Sequence, residues 1–472
     1  MKSALFARLP SDVIIVLNPL CAKLSSKLLI IQGLSTYTRP WNELSFMQKS
    51  RRSITDLILH LHPPTVPEET LRFNLSWGLG GMAVMLVSLL FLTGILLLLV
   101  YQPSTDQAYT SILILTREVP FGLWVRNIHH WSANLLVVVA VLHLLRVVLT
   151  GAFGPGRRLN WVIGLFLLFL LLSSNFTGYL LPWDQLAYWA VTICTSMLGY
   201  IPFCGQWLQE LFRGGAEIGP ATLANFFVLH VAFIPGTLFI LLLWHFWLVR
   251  RAGGLVQIKK NDLQGIPSPR VSTVPNLVMR EAAVGLALVA FVLTLAIFWN
   301  TPLLEQANPG MSPNPAKAPW YFMGFQELLL HLHPVFAVFV WPLLGAAVFL
   351  CVPFWRETDL PTGVWFGSGR GRTLAAWTTA IGVVATLTLI LVDNLLLGSA
   401  TAMTNTFVTR GLLPTGFFAA LLVGLYWLLV KKLKYTRAEA VMAGIILVLV
   451  VLTVCTVIGV WFRGPEMHLV WP

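Results

Sequence analysis

The chain has 472 residues, 57% of them hydrophobic and only 11% charged, with a mean hydropathy of +0.78 and a formal net charge of +12. A soluble domain carries about 25% charged residues, so the composition excludes an ordinary soluble enzyme and identifies a polytopic membrane protein. The expected fold class is all-α, because a helix satisfies its own backbone hydrogen bonds in lipid.

Taken in chain order, residues 1–46 form an atypical arm. Their apolar run Val13–Leu17 is too short to span, and no small-residue cleavage site follows it. The arm is either disordered or precedes a start at Met47. Residues 54–62, "ITDLILHLH", are predicted to form a short amphipathic surface helix. Nine apolar segments are long enough for a hydrocarbon core about 30 Å thick: 77–101, 127–150, 159–181, 221–249, 282–299, 335–355, 373–397, 411–430 and 441–462. With the N-terminus inside, the arm holds nine Lys/Arg, the even-numbered loops with their helix ends sixteen, and the other side six. Twenty-five against six is a strong positive-inside bias. The basic charge therefore reads as topology and anionic-lipid contact, with no nucleic-acid partner. The predicted organisation is the arm 1–46, a four-helix domain 47–249, a cytoplasmic linker 250–279, a second domain 280–430 and an additional C-terminal helix in 431–472. The five cysteines (Cys21, Cys194, Cys204, Cys351 and Cys455) form no C-x-x-C pair and no covalent haem motif.

Span two, "RNIHHWSANLLVVVAVLHLLR", places His129 and His143 fourteen residues apart. That is about 21 Å of rise and nearly four whole turns, so both rings leave one face near opposite sides of the bilayer. Span four repeats the pattern with His230 and His245, fifteen apart, about 60° further round, with Pro235 between them to change the phase. A lone intramembrane histidine is more often a hydrogen-bonding partner, but two matched pairs without carboxylate or thiolate neighbours suit bis-histidine haem. Gly80 and Gly94 in span one, and Gly164 and Gly178 in span three, are also fourteen apart and would let a flat group approach the backbone. Arg126 and Arg146 flank the histidines and are candidates to pair with haem propionates, or are snorkelling interfacial arginines. His130 is left as a polar neighbour.

These residues resemble the cytochrome b subunit of quinol–cytochrome c reductase (cytochrome bc) complexes. The resemblance rests on "RNIH" with "LHLLR", the spaced glycines, "GYLLPWDQLAYWAV" and the tryptophan–tyrosine motif after span five, and covers roughly residues 48–430. The fifteen-residue spacing is similar to the chloroplast and Gram-positive branch, here with its two halves fused and one span beyond the usual eight. Gly78 stands where that branch often carries a cysteine for an extra haem, so no covalent haem is expected.

The resemblance implies two non-covalent haems b, an outer one on His129 and His230 and an inner one on His143 and His245. It implies quinol oxidation outside, between Pro182–Trp189 and the 319–322 motif, with Trp183, Asp184, Pro319, Trp320 and Tyr321 as site residues. It further implies a Rieske iron–sulfur protein and a c-type cytochrome as partners, a homodimeric complex, and the cytoplasmic membrane of a prokaryote. Arg250 and the Arg280–Glu281 pair are candidates for the inner quinone site, or simply positive-inside charge; Asp393 is a proton group or a packing partner. The family motif is usually Pro-Glu-Trp-Tyr, but this chain reads Ala318-Pro319-Trp320-Tyr321. Glu327, the only acid between Gln306 and Pro334, is therefore expected to replace the missing carboxylate as a general base with a pKa raised by burial, or is a surface glutamate at the membrane interface. The alternatives are a haem b anchor joining a dehydrogenase to the quinone pool, and a transporter without haem.

Overall fold

The computed structural model describes residues 56, 59–60, 62–154, 156–254, 269–354, 362–397 and 406–471. The arm 1–46, most of the 54–62 stretch and residues 255–268 of the linker lie outside them. Contacts divide the chain at residue 62. The unit that begins at Pro63 carries every spanning helix among the described residues.

A short strand β1 (Thr65–Pro67) leads into helix α1 (Leu79–Leu98). A surface helix α2 (Ala108–Arg117) precedes α3 (Gly122–Leu149), and α4 (Arg158–Leu180) follows after a glycine-rich turn. Two non-spanning helices, α5 (Gln185–Leu198) and α6 (Gly205–Arg213), then lead to α7 (Pro220–Arg251). Strand β2 (Arg270–Ser272) pairs antiparallel with β1, matching Val66 to Val271. Helix α8 starts directly after it and runs Thr273–Phe298. The expected start at 282 is therefore too late, because the polar first turns of α8, including Arg280 and Glu281, lie ahead of its apolar run. The second half continues with a short α9 (Met323–His331), then α10 (Phe336–Phe354), α11 (Gly369–Leu395), α12 (Val408–Lys432) and α13 (Arg437–Trp461). Among the described residues nine helices are long and apolar enough to span, as the hydropathy pattern predicts.

The chain's prolines leave a local signature. Pro235, Pro342 and Pro414 each follow a π turn, at Leu229–Phe233, Phe336–Val340 and Val408–Leu412. Proline lacks the N–H and clashes with the preceding turn, and one wide turn accommodates both. The core between α1, α3, α4 and α8 is apolar: Leu86, Val137, Leu171 and Val292 are buried together, with Tyr321 packed against them. Helix α13 is no appendage. Of its most apolar stretch 44% is buried, against 6% for α12. It packs along α11 through Ala375, Met442 and Ile446, and its Ile445 joins Val148 and Trp161 of the first half.

Candidate haem and quinol sites

The π turn of α7 contains His230 itself. One inserted residue in a wide turn sets the helix back by about 100°, which turns the fifteen-residue spacing into the equivalent of fourteen. The mismatch read from the sequence is thus absorbed beside the first histidine, in the turn that also accommodates Pro235.

His129 of α3 faces His230 of α7 with ring centroids 6.2 Å apart and planes at 70°. The tautomers follow from their partners. The carbonyl of Ser174 accepts a hydrogen bond from His230 Nδ1 at 2.9 Å. Thr93 Oγ1 donates its proton to the Leu89 carbonyl at 2.6 Å and lies 2.9 Å from His129 Nδ1, so it accepts from that nitrogen. Both rings carry their proton on Nδ1, and Nε2 is left as the lone pair for a ligand. Holding one nitrogen to orient the other is how proteins prepare histidine for a metal.

The glycines stand against the rings. A methyl group added at Gly94 would lie 3.5 Å from His129 Cε1, at Gly80 3.7 Å from His143 Cε1, and at Gly164 3.6 Å from His245 Cε1. At Gly178 it would overlap His230 Cε1 and lie 2.8 Å from Nδ1 of the same ring, too close to exist without displacing it. Each of the four predicted glycines is thus paired with one of the four predicted histidines. Arg146 donates Nε to the Leu75 carbonyl while its Nη2 is buried and unpartnered. An unsatisfied buried guanidinium group beside the inner pair suits an anionic ligand such as a propionate, so the residues present fit haem.

Arg126 has main-chain partners. Its Nη1 and Nη2 donate to the carbonyls of Thr301 and Pro302 at 3.0 and 2.8 Å, and the adjoining Asn127 bonds Ala296, Asn300 and Thr301. The "RN" pair fastens α3 to the segment after α8, whose main-chain carbonyls take two of the five guanidinium protons. Arg250 lies exposed in the last turn of α7, and Arg280 donates to the Leu71 carbonyl.

The "PWDQ" segment turns α4 into α5 through Trp183, whose left-handed φ of 53° is rare for a bulky residue. Asp184 caps α5 by accepting from the Ala187 N–H at 2.9 Å and takes the Leu304 N–H at 3.1 Å. Burial pushes its pKa up, against those two N–H groups and Arg126. Gln185 accepts from the Asn308 N–H at 2.7 Å. The segment therefore grips the start of the 300–319 loop. The loop's far end is the turn Trp320–Phe322 leading into α9. Trp320 Nε1 donates to Asn134 of α3 at 2.6 Å, and Asn134 bonds His130 at 3.2 Å, which gives the leftover histidine a place. The Tyr321 hydroxyl is buried with no hydrogen-bond partner, and burial holds its pKa well above the usual tyrosine value.

Glu327 is fully buried, but its expected raised pKa is reversed. Burial pushes it up, while hydrogen bonds from His331 and Arg463 outweigh burial and hold it below the ordinary 4.5. Arg463 Nη2 and Nε reach the two carboxylate oxygens at 2.5 and 3.0 Å. Tyr321 packs toward α1 and α3, while Glu327 faces the segment after α13. The six-residue separation thus puts them on different sides of the turn. His331 bridges Glu327 at 3.1 Å and Asp393 at 2.6 Å, and Arg410 lies 3.7 Å from Asp393.

Sequence reasoning missed Thr93, Thr177, Asn134, His331 and Arg463. The threonines had a signal: Thr93-Gly94 and Thr177-Gly178 repeat one dipeptide at the outer pair, and Thr177 Oγ1 lies 3.5 Å from His230 Nδ1.

The family model for cytochrome b/b6/petB matches residues 67–253. The chain is 43% identical to cytochrome b6 of Heliomicrobium gestii over 192 residues, covering 41% of this chain and 88% of the relative. It is 38% identical to cytochrome b6 of Synechococcus sp. (strain CC9902) over 205 residues, 43% of this chain and 93% of the relative. Its fold is similar to a chain of a hyperthermophilic respiratory Complex III, with a TM-score of 0.63 at 21% identity, covering 86% of this chain and 97% of the other. With paired histidines, matched glycines and relatives covered almost end to end, the chain belongs to the cytochrome b/b6 family.

Proposed function

We infer that the chain is the di-haem cytochrome b subunit of a respiratory quinol-oxidising complex, and that it needs partner subunits for turnover. Membership of the family makes it a haem b protein. The observation that carries the finer reading is the set of two histidine pairs, each ring against its own glycine. His129 and His230 would hold the outer haem, His143 and His245 the inner one, with Arg146 toward an inner propionate. When bound, two such haems would supply a path for single electrons across the membrane.

The chain's own residues do the rest. Thr93 and Ser174 fix the ring tautomers. Trp183, Asp184, Pro319, Trp320 and Tyr321 form the outer quinol site, where the unpartnered Tyr321 hydroxyl is a hydrogen-bonding group for a quinol oxygen. Arg250, Arg280 and Glu281 remain candidates for the inner quinone site. A Rieske iron–sulfur protein and a c-type cytochrome are the proposed acceptors, in a dimeric complex in the cytoplasmic membrane of a prokaryote with the N-terminus inside.

Redox titration of the visible spectrum tests the assignment. Wild type should show two b-type components, and His143→Leu or His245→Leu should leave one. If both components survive either substitution, the ligand assignment is wrong.

A further inference from the structure

The end of α13 and the segment after it touch the quinol loop on both sides of the Pro319–Tyr321 motif. Ahead of it, Asn314 Oδ1 accepts from the Glu466 N–H at 2.5 Å, and Lys317 Nζ donates to the Val460 carbonyl at 3.0 Å. Behind it, Arg463 forms its two-pronged pair with Glu327. Between these points the helices approach closely through glycine. A methyl group at Gly324 would come within 2.6 Å of Thr456 Oγ1, and one at Gly459 within 2.9 Å of Met323 Cε. The loop also closes on itself, since Gln326 accepts from the Ala318 N–H at 2.7 Å and donates to the Ala316 carbonyl at 2.9 Å. Arg463 is itself held by Asn394 and the Met467 carbonyl, at 3.0 and 2.9 Å.

We propose that α13 and its trailing segment are the positioning element of the quinol-oxidising loop, with Arg463 and Glu327 as a buried ion pair that sets the motif rather than a base and its modulator. The inference rests on the reading of the 319–322 motif as part of the quinol site. The physical reason is the cost of a lone buried charge. Removing one partner of such a pair strands the other, whereas removing both leaves a neutral contact of similar shape. A proton acceptor would behave differently, because no second substitution can restore a lost carboxylate.

The test uses the complex in its native membrane, with duroquinol as donor and ferricyanide as terminal acceptor. Wild type should oxidise duroquinol. Arg463→Gln and Glu327→Gln should each slow oxidation at least tenfold and raise the KM for duroquinol, with both haem spectra intact. Arg463→Lys, which keeps the charge but not the two-pronged geometry, should recover part of the rate. The double variant Glu327→Gln with Arg463→Gln should return to within about threefold of wild type. A double variant as slow as Glu327→Gln would make Glu327 a proton acceptor and overturn the proposal, as would an unchanged Arg463→Gln. Should Arg463→Gln lose its haems, Gly459→Ala carries the test: a raised KM supports the proposal and an unchanged one overturns it. A wild type that oxidises no quinol would instead overturn the functional reading beneath it.

Discussion

Gly178 shows how much one absent side chain decides. In an exposed helix interior, alanine improves on glycine by about 1 kcal/mol. Here its methyl group would overlap His230 Cε1, and moving the ring breaks the Ser174 hydrogen bond that fixes its tautomer. Gly178→Ala should therefore lose the outer b-type component in a redox titration. Gly81→Ala, where nothing lies within 4 Å, should keep both components. Glu327 gives the other residue-scale outcome. A carboxylate held below its ordinary 4.5 binds its proton more readily in the unfolded chain than in the folded one. The stability it contributes is present above that value and disappears as pH falls through the lower folded value. Wild type should lose thermal stability on acidification below about pH 4.5, and Glu327→Gln, less stable at neutral pH, should lose less. Equal slopes in melting temperature against pH would count against this account. The histidines were legible in the sequence because polar rings are rare in lipid and a helical period makes their partners countable. The Arg463–Glu327 pair was not: it joins residues 136 apart, and nothing in either local sequence marks the other.

Among the elements, α7 carries the least expected device. Its histidines are one residue further apart than those of α3, and the π turn at Leu229–Phe233 absorbs the difference. The sequence announced a phase problem and named Pro235, but could not say whether a kink or a wide turn would solve it, since proline's missing N–H permits either. The two solutions separate by deletion. Removing Ala232, inside the π turn, should convert it to α-helix, keep the histidine registration and retain both b-type components. Removing Leu241, in regular α-helix, leaves the π turn in place and swings His245 by about 100°, so the inner component should be lost. Retention of both components in both deletions would mean that the helix relaxes freely and the π turn sets no register. Helix α13 was legible as a span but not as a core helix, because hydropathy reports apolarity and cannot tell lipid from a neighbouring helix as its cause.

At the scale of the whole molecule, contacts and charge converge on one topology. Strand β1 precedes the first span and β2 the fifth, so four spans lie between two strands that pair. The 300–319 loop follows the fifth span and Glu466 the ninth, so four spans again lie between partners that touch, Asn314 and Glu466. An even number returns the chain to the side it left, and the second contact is possible only because α13 completes the count. With eight spans the chain would end on the side opposite the quinol loop. Contacts give which segments share a side, and the distribution of Lys and Arg, twenty-five against six, is the ground for the proposal of which side is inside. With the five native cysteines replaced by alanine, single cysteines at Met311 and His468, both exposed, should react with an impermeant maleimide added outside to intact cells. A cysteine at Ala252, beyond the end of α7, should react only after the membrane is opened. Labelling of Met311→Cys and His468→Cys from different sides would break the parity and with it the docking of the C-terminal segment on the quinol loop. Outside labelling of Ala252→Cys, with the other two protected, would keep the parity and invert the charge assignment, placing quinol oxidation on the cytoplasmic face.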